Sequence, residues 1–330
     1  MSPPLAQKLF AALADGAVHS GQDLASALGV SRGGVWKAIE SLRGMGLELQ
    51  ATPKRGYRLQ SPVVPLQAES IRAALSEPAR AGLRHCEVAW QLGSTNAELL
   101  ARQDLPLDRG DALLAEYQSA GRGRRGRQWL APPGGALCLS LSWNFPALPN
   151  EASALSLAVG VWVRRALLAS GVHQVGLKWP NDLQVHGAKL GGILIELRGE
   201  SLGPALVVIG VGLNVAMSEE LRAAIRASGN EPVDLQRLGL AHCDRNVLAA
   251  RLLDEALRGL PEFERSGLAP WRAEWQQADV LKDRAVQVMG AAGEVRGIAR
   301  GIDAEGVLLI ETAAGLQKIM AGEVSVRAQT

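Results

Sequence analysis

Apolar residues recur at helical spacing from the first positions of the chain. Leu5, Leu9 and Leu13 follow Pro3-Pro4, and Gly16 is placed to end that helix. Ser20 then opens GQDLASALGV as an N-cap, with Asp23 three residues on approximating a capping box. A tight turn at Gly29-Val30 leads to Ser31, which caps a second helix, RGGVWKAIESLRGMG. Helix, short glycine turn, helix is the helix-turn-helix arrangement. Beyond Gly46 the period shortens to two. LELQAT and YRLQ flank Pro53-Lys54-Arg55-Gly56, which predicts a hairpin serving as a wing.

SPVVPLQ at 61–67 breaks both periods and reads as a linker. Strands are predicted at 112–117, 136–143, 192–197 and 205–211, with Leu137, Leu139, Leu141 and Trp143 on one face of the second. Helices are predicted at 152–170 and 246–266. This mixture describes one large α+β domain. From residue 281 the texture changes again. VQVM, EVRGIARGI, GVLLIET, LQKIM and VSVR are five short strands between turn residues, the spacing of a small β-barrel. Three domains follow: 1–62, 63–279 and 280–330.

At 330 residues the chain exceeds what one core carries, and 47% hydrophobic with 21% charged residues describes an ordinary globular protein. A net charge of +2 does not announce a nucleic-acid binder, so that role must come from local clustering. Residues 1–62 supply it: seven cations against four anions leave them at +3, concentrated on the second helix and the wing. Ser31, Arg32, Lys37, Lys54 and Arg55 are the candidate DNA contacts. A winged-helix module that binds protein instead stays open. Gly33-Gly34 contribute no side chains to readout, and each weakens the helix by roughly 1 kcal/mol. Cys86, Cys138 and Cys243 are scattered and odd in number, which excludes a disulfide framework and fits a reducing compartment. MSPPLAQKLF lacks a basic-then-apolar secretion signal, and Arg164-Arg165 interrupt the apolar run at 152–169. A cytoplasmic protein is expected.

GRGRRGR at 121–127 contains a decoy. Gly121, Gly123 and Gly126 satisfy GxGxxG, but Pro132-Pro133 forbids the helix a dinucleotide fold requires there. GxxxxGK[ST] is absent as well. What suits the segment is an anionic ligand: glycines allow close backbone approach, and guanidiniums neutralise carboxylate and phosphate. Four arginines this close repel without a counter-ion, which predicts a mobile loop that orders over bound ligand.

STN at 94–96, AEYQSAGRGRRGRQW at 115–129, KWPNDL at 178–183, KLGGILIE at 189–196, IGVGLNV at 209–215 and RGIDAEGVLLIE at 300–311 together resemble the biotin protein ligases. More narrowly, they resemble the bifunctional ligases that also repress biotin genes. The likeness runs through all three segments in order; Gly33-Gly34 and the stretch 218–239 depart from it. The resemblance implies a winged helix, a central domain similar to class II synthetases and a C-terminal SH3-like barrel. It implies that biotin and Mg-ATP form biotinyl-5′-AMP, and that the acyl group passes to a lysine of a biotin carboxyl carrier protein. ATP, Mg2+ and biotin are then substrates, and no tightly bound prosthetic group is expected. Operator DNA of biotin genes and a second copy of the chain, associating more strongly with ligand bound, are the further partners implied.

By the same resemblance Lys189 and Arg124 are catalytic. Ser94, Thr95, Asn96, Gln118, Arg122, Gly123, Arg124 and Lys189 bind biotin. Trp129, Asn181, Asp182 and Arg122 face ATP or the adenylate, with Asp182 a candidate magnesium ligand. Read from the residues alone, Ser94-Thr95-Asn96 before AELLAR is also a helix N-cap, and Trp129 is equally an ordinary core residue. A ligase without DNA binding, a lipoyl-type ligase and a transcription regulator without ligase chemistry remain as alternatives.

Overall fold

The computed structural model describes residues 4–103, 106–149, 151–199, 203–240, 243–290, 293–321 and 325–328. Residues 1–3, read for a secretion signal and as the lead into the first helix, lie outside them, as does Val324 of the last predicted strand.

The N-terminal segment forms helices α1 (Leu5–Leu13), α2 (Gly21–Leu28) and α3 (Arg32–Gly44), then a hairpin of β1 (Leu49–Thr52) and β2 (Gly56–Leu59). Both expected caps form: Ser20 Oγ accepts from the Asp23 amide at 3.0 Å, and Ser31 Oγ from the Gly34 amide at 3.1 Å. The hairpin pairs antiparallel with Leu49 opposite Leu59, and both point into a core of Leu9, Phe10, Leu13, Val35, Ile39 and Leu42. At Gly56 a Cβ would sit 1.9 Å from the His19 carbonyl oxygen. Only glycine lets the wing close onto the helices there.

The stretch read as a linker is pinned down. Glu116 Oε1 accepts from the Leu66 amide at 2.6 Å, and buried Arg245 donates to Glu116 at 2.9 Å and to the Val64 carbonyl at 3.0 Å. Asn246 holds the Gln67 amide and the Pro65 carbonyl. A break in periodicity marks a linker's sequence but carries no record of these distant partners.

The central unit contains α4 (Ala68–Ala74), α5 (Glu77–Gly82), β3 (Leu83–Leu92), α6 (Thr95–Ala101), β4 (Gly110–Gln118), β5 (Ala136–Phe145) and α7 (Leu155–Ala169). It continues with β6 (Gly176–Lys178), β7 (Asp182–Val185), β8 (Ala188–Gly199), β9 (Ala205–Asn214), α8 (Glu219–Ala227), α9 (Arg245–Ser266) and α10 (Ala269–Ala278). Its seven-stranded sheet has the order β3-β4-β5-β9-β8-β7-β6; β3 and β4 run parallel and the other neighbours antiparallel. One face packs on α7 and α9. The stretch 152–169 is apolar and long enough to cross a membrane by composition, yet most of it is buried between sheet and α9.

The C-terminal strands β10 (Ala285–Gly290), β11 (Gly293–Ile302), β12 (Leu308–Thr312), β13 (Gly315–Ile319) and β14 (Ser325–Ala328) form an antiparallel sheet in the order β13-β12-β11-β10-β14. The five expected strands are present, but among the described residues β13 and β14 do not pair, so the sheet does not close into the expected barrel. Its inner face (Val286, Val288, Ala299, Leu308, Ile310) belongs to the same continuous core as the central sheet. Trp179 Nε1 donates to the Gly306 carbonyl at 3.1 Å and ties the two together.

Candidate active site

Four strands (β4, β5, β8 and β9), with α6, α8 and the loops beside them, converge on one cavity of about 330 Å³. Its floor is the β8–β9 ladder, where Gly210, Gly212 and Gly192 leave the sheet bare. A Cβ on Gly210 would fall 2.3 Å from Asn96 Oδ1, and one on Gly212 would fall 2.6 Å from the Trp129 ring. Gly192 lies directly across the ladder from Gly212. Gly210 and Gly212 are two steps apart along the strand, about 7 Å at antiparallel rise. The glycines therefore set out a slot with Asn96 at one end and Lys189 at the other.

The first end is built of neutral polar side chains backed by one carboxylate, Glu196. β3 ends at Leu92, and Ser94 turns the chain into α6 as its N-cap, so the cap and ligand readings of 94–96 are both met by one geometry. That turn buries Thr95 and Asn96 against β5. The Thr95 amide and hydroxyl donate to Gln118 Oε1 at 2.8 and 3.1 Å. Ser140 Oγ, fully buried, stands 2.6 Å from Thr95 Oγ1 and 2.5 Å from Asn96 Oδ1, and its single proton serves one of them at a time. Asn96 Nδ2 donates to Glu196 Oε2 at 2.9 Å. Ser140 and Glu196 escaped the sequence reading. Both sit in strand positions whose spacing reports a face of the sheet, not a ligand.

The other end is cationic. A two-residue turn at His186-Gly187, both left-handed, folds β7 back on β8 and sets Asp182 opposite Gly192. The missing side chain at Gly192 leaves room for Lys189 Nζ, which donates to Asp182 Oδ1 at 2.6 Å, both groups being partly buried. Asp182, expected to face nucleotide or metal, thus holds the lysine in this structure. It is absent from the residues lining the cavity, and no group of three or more His, Cys, Asp or Glu side chains suited to a metal occurs among the described residues. Asn181 does line the cavity, donates to the Ile193 carbonyl at 2.7 Å and accepts from Arg124 Nη1 at 3.1 Å.

The Gly/Arg loop, expected to order over bound ligand, lies over the slot as a folded turn. The Gly123 amide donates to the Arg127 carbonyl at 2.7 Å and the Trp129 amide to the Gly121 carbonyl at 2.9 Å. Its counter-charge is internal: Arg122 Nη1 reaches Glu196 Oε1 at 3.2 Å, and Asp182 acts on Arg124 through space. Burial nevertheless lowers the Arg124 pKa from the usual guanidinium value, opposed by Asp182. Trp129 packs on the Gly212 floor, partly buried. Beneath it Cys138 is fully buried, and desolvation pushes its thiol up to about 12, which keeps it neutral and inert.

The stretch 218–239 supplies the far wall through Ala224, Ile225, Ser228, Asn230 and Pro232. A buried Arg222–Asp234 pair at 2.5 Å fixes it, and the Lys189 amide donates to the Glu231 carbonyl at 2.6 Å. The DNA candidates lie far from this cavity in sequence. Arg32 and Lys37 are exposed on α3, Lys54 and Arg55 on the wing turn, and the Ser31 hydroxyl is engaged in its cap.

The chain is similar to known proteins along its whole length. Residues 91–214 match the biotin/lipoate A/B protein ligase family, residues 6–58 an HTH domain, and residues 283–327 the biotin protein ligase C-terminal domain. The bifunctional ligase/repressor BirA of Escherichia coli K12 is 40% identical over 97% of this chain and 96% of its own length. The biotin--[acetyl-CoA-carboxylase] ligase of Mycobacterium tuberculosis is 37% identical over 79% of this chain and 95% of its own. Among solved structures, the biotin protein ligase of Aquifex aeolicus in complex with biotin and ATP superposes with a TM-score of 0.63 at 25% identity. That match covers 74% of this chain and all of the other.

Proposed function

This chain belongs to the family of bifunctional biotin ligase/repressors, and from that premise we propose how its slot performs the ligase reaction and how its head uses the product. The enzyme joins biotin to ATP as biotinyl-5′-AMP and passes the biotinyl group to a lysine of a biotin carboxyl carrier protein. The observation that carries this is the polarity of one cavity: hydrogen-bonding side chains at 94–96 and 118, backed by buried Ser140, face one end, Lys189 and Arg124 the other. A ureido ring matches the first end and a carboxylate the second. Lipoate's dithiolane would leave the buried Ser140–Asn96 network unanswered.

In the first step a biotin carboxylate oxygen attacks the α-phosphorus, the bond to the bridging oxygen breaks, and pyrophosphate leaves. Two anions must meet, so Lys189 and Arg124 act by neutralising charge and fixing position. Asp182 presents the ammonium and Asn181 the guanidinium. Arg122 and Gly123 close the loop over the adenylate, Gln118 braces the ureido end, and Trp129 offers its ring to adenine. Mg2+ would enter on ATP with waters and phosphate oxygens as its main ligands, and Asp182, the one carboxylate nearby, would reach it only by sharing its hold on Lys189. In the second step the carrier lysine attacks the acyl carbon and AMP departs.

The units are assigned as 1–62, DNA-binding; 63–279, catalytic and class II synthetase-like; 280–330, SH3-like. Ser31, Arg32, Lys37, Lys54 and Arg55 bind operator DNA, and biotinyl-AMP is the corepressor. Beyond its pairing with β7, the half of β8 that carries Glu196 has a ladder partner only in β9 among the described residues. The Gly/Arg loop thus lies beside an open edge on which a second copy can add, in a protein working in the cytoplasm. The test is direct. Incubated with biotin, Mg-ATP and a carrier-protein fragment, the chain should leave biotin on the acceptor lysine, and lipoate should not replace it. Transfer of lipoate in preference to biotin would overturn the assignment.

A further inference from the structure

The exposed face of α3 presents Arg32, Trp36, Lys37 and Glu40, and 55% of the Trp36 surface is open to solvent. The other seven tryptophans of the chain are buried or partly buried. An indole is the costliest side chain to leave in water, because it forgoes more apolar burial than any other. A long helical side chain leans over the turn preceding it. Three positions back from Trp36 is Gly33, where an added Cβ would meet nothing nearer than Ser31 Oγ at 3.8 Å. The first turn of α3 is therefore flat beside the ring. The two glycines that supply no side chains for base contacts clear the approach for the one that follows them.

The surroundings select the partner. Arg32 and Lys37 flank the ring in sequence, and Lys54 and Arg55 are exposed on the adjacent wing, a cationic surface suited to phosphates. In the major groove, which admits one helix, thymine alone presents a methyl group. We propose that Trp36 reads a thymine by packing its ring against the C5-methyl group in the major groove of duplex DNA. This rests on the DNA-reading function assigned above to the head.

The experiment uses the full chain with biotin and Mg-ATP. Duplexes are selected from a randomised pool, and each thymine of the enriched site is then replaced by uracil, which removes only the methyl. The wild type should lose about fourfold in affinity at one position per half-site, the worth of one buried methyl. Trp36→Ala should bind the selected site more weakly, with thymine and uracil duplexes now equal. Trp36→Phe, keeping an aromatic ring, should restore part of the preference. Thermal unfolding of each variant at the wild-type midpoint shows that the head is intact. An undiminished thymine preference in Trp36→Ala, or a wild-type site without any uracil-sensitive position, overturns the role of Trp36 alone. A wild type that enriches no sequence overturns the DNA-reading premise with it.

Discussion

Two residues carry the sharpest chemical consequences. Lys189 is partly buried, bonded to Asp182 at 2.6 Å, and faces the cavity between Gly192 and Pro232. Lys189→Ala should lower the rate of biotinyl-AMP formation by about 10²–10³-fold, measured in a single turnover with labelled ATP. Rates near the wild type's would remove it from the chemistry. Asp279 lies at the join between the central and C-terminal units, with one carboxylate oxygen holding the Leu281 amide at 2.9 Å and the other buried without a partner among the described residues. Burial pushes its pKa up to about 6. A folded-state pKa above the unfolded value means that the native form binds the extra proton, so stability falls as pH rises from about 4 to 6. Asp279→Asn should therefore be more stable than the wild type above pH 6, by up to about 3 kcal/mol. The gap should vanish near pH 4 in urea unfolding. Lys189 was legible because its neighbours form a specific motif. Ser140 and Glu196 were not, because each acquires its meaning from partners far away in sequence, and Asp279 was not, because its burial is set by how the two units pack.

At the scale of elements, what was legible is what local chemistry decides. The caps at Ser20 and Ser31 form because a hydroxyl reaches an amide three residues on, and the wing is likewise closed by a short-range turn; the equally local His186-Gly187 hairpin went unread. Strand order is different. The parallel β3–β4 pair and the central place of β9 depend on contacts between residues that alternation cannot match to one another. The same blindness left 61–67 as a linker. The buried Glu116–Arg245 pair shows what such contacts do: it clamps the chain leaving the wing to α9 and to the strand before the Gly/Arg loop. Glu116→Gln leaves a guanidinium buried without its counter-charge. It should destabilise the protein by about 3–5 kcal/mol in chemical denaturation. A change below about 1 kcal/mol would mean that the clamp contributes little.

At the scale of the whole molecule, the head and the slot share a seam. Phe10 of α1 packs against Trp90 of β3 with the rings tilted and their centroids 5.4 Å apart, and the segment leaving the Gly/Arg loop reaches the head, where Gly134 fits against Val63 and Phe10. A loop fixed by its ligand at one end is thus fixed against the DNA-binding unit at the other. If bound adenylate holds the loop beside the open edge of β8, a second copy adds there at lower entropic cost. Sedimentation should show association that strengthens with biotinyl-AMP; a monomer unchanged by the adenylate would break the link between catalysis and repression. All of this depends on one proposition: a biotin carboxylate and the α-phosphate of ATP meet between Lys189 and the arginine loop. The most direct measurement is exchange of labelled pyrophosphate into ATP. Rapid exchange that requires biotin and proceeds without carrier protein is the expected result. Exchange that ignores biotin, or its absence with biotin and Mg-ATP present, would contradict it.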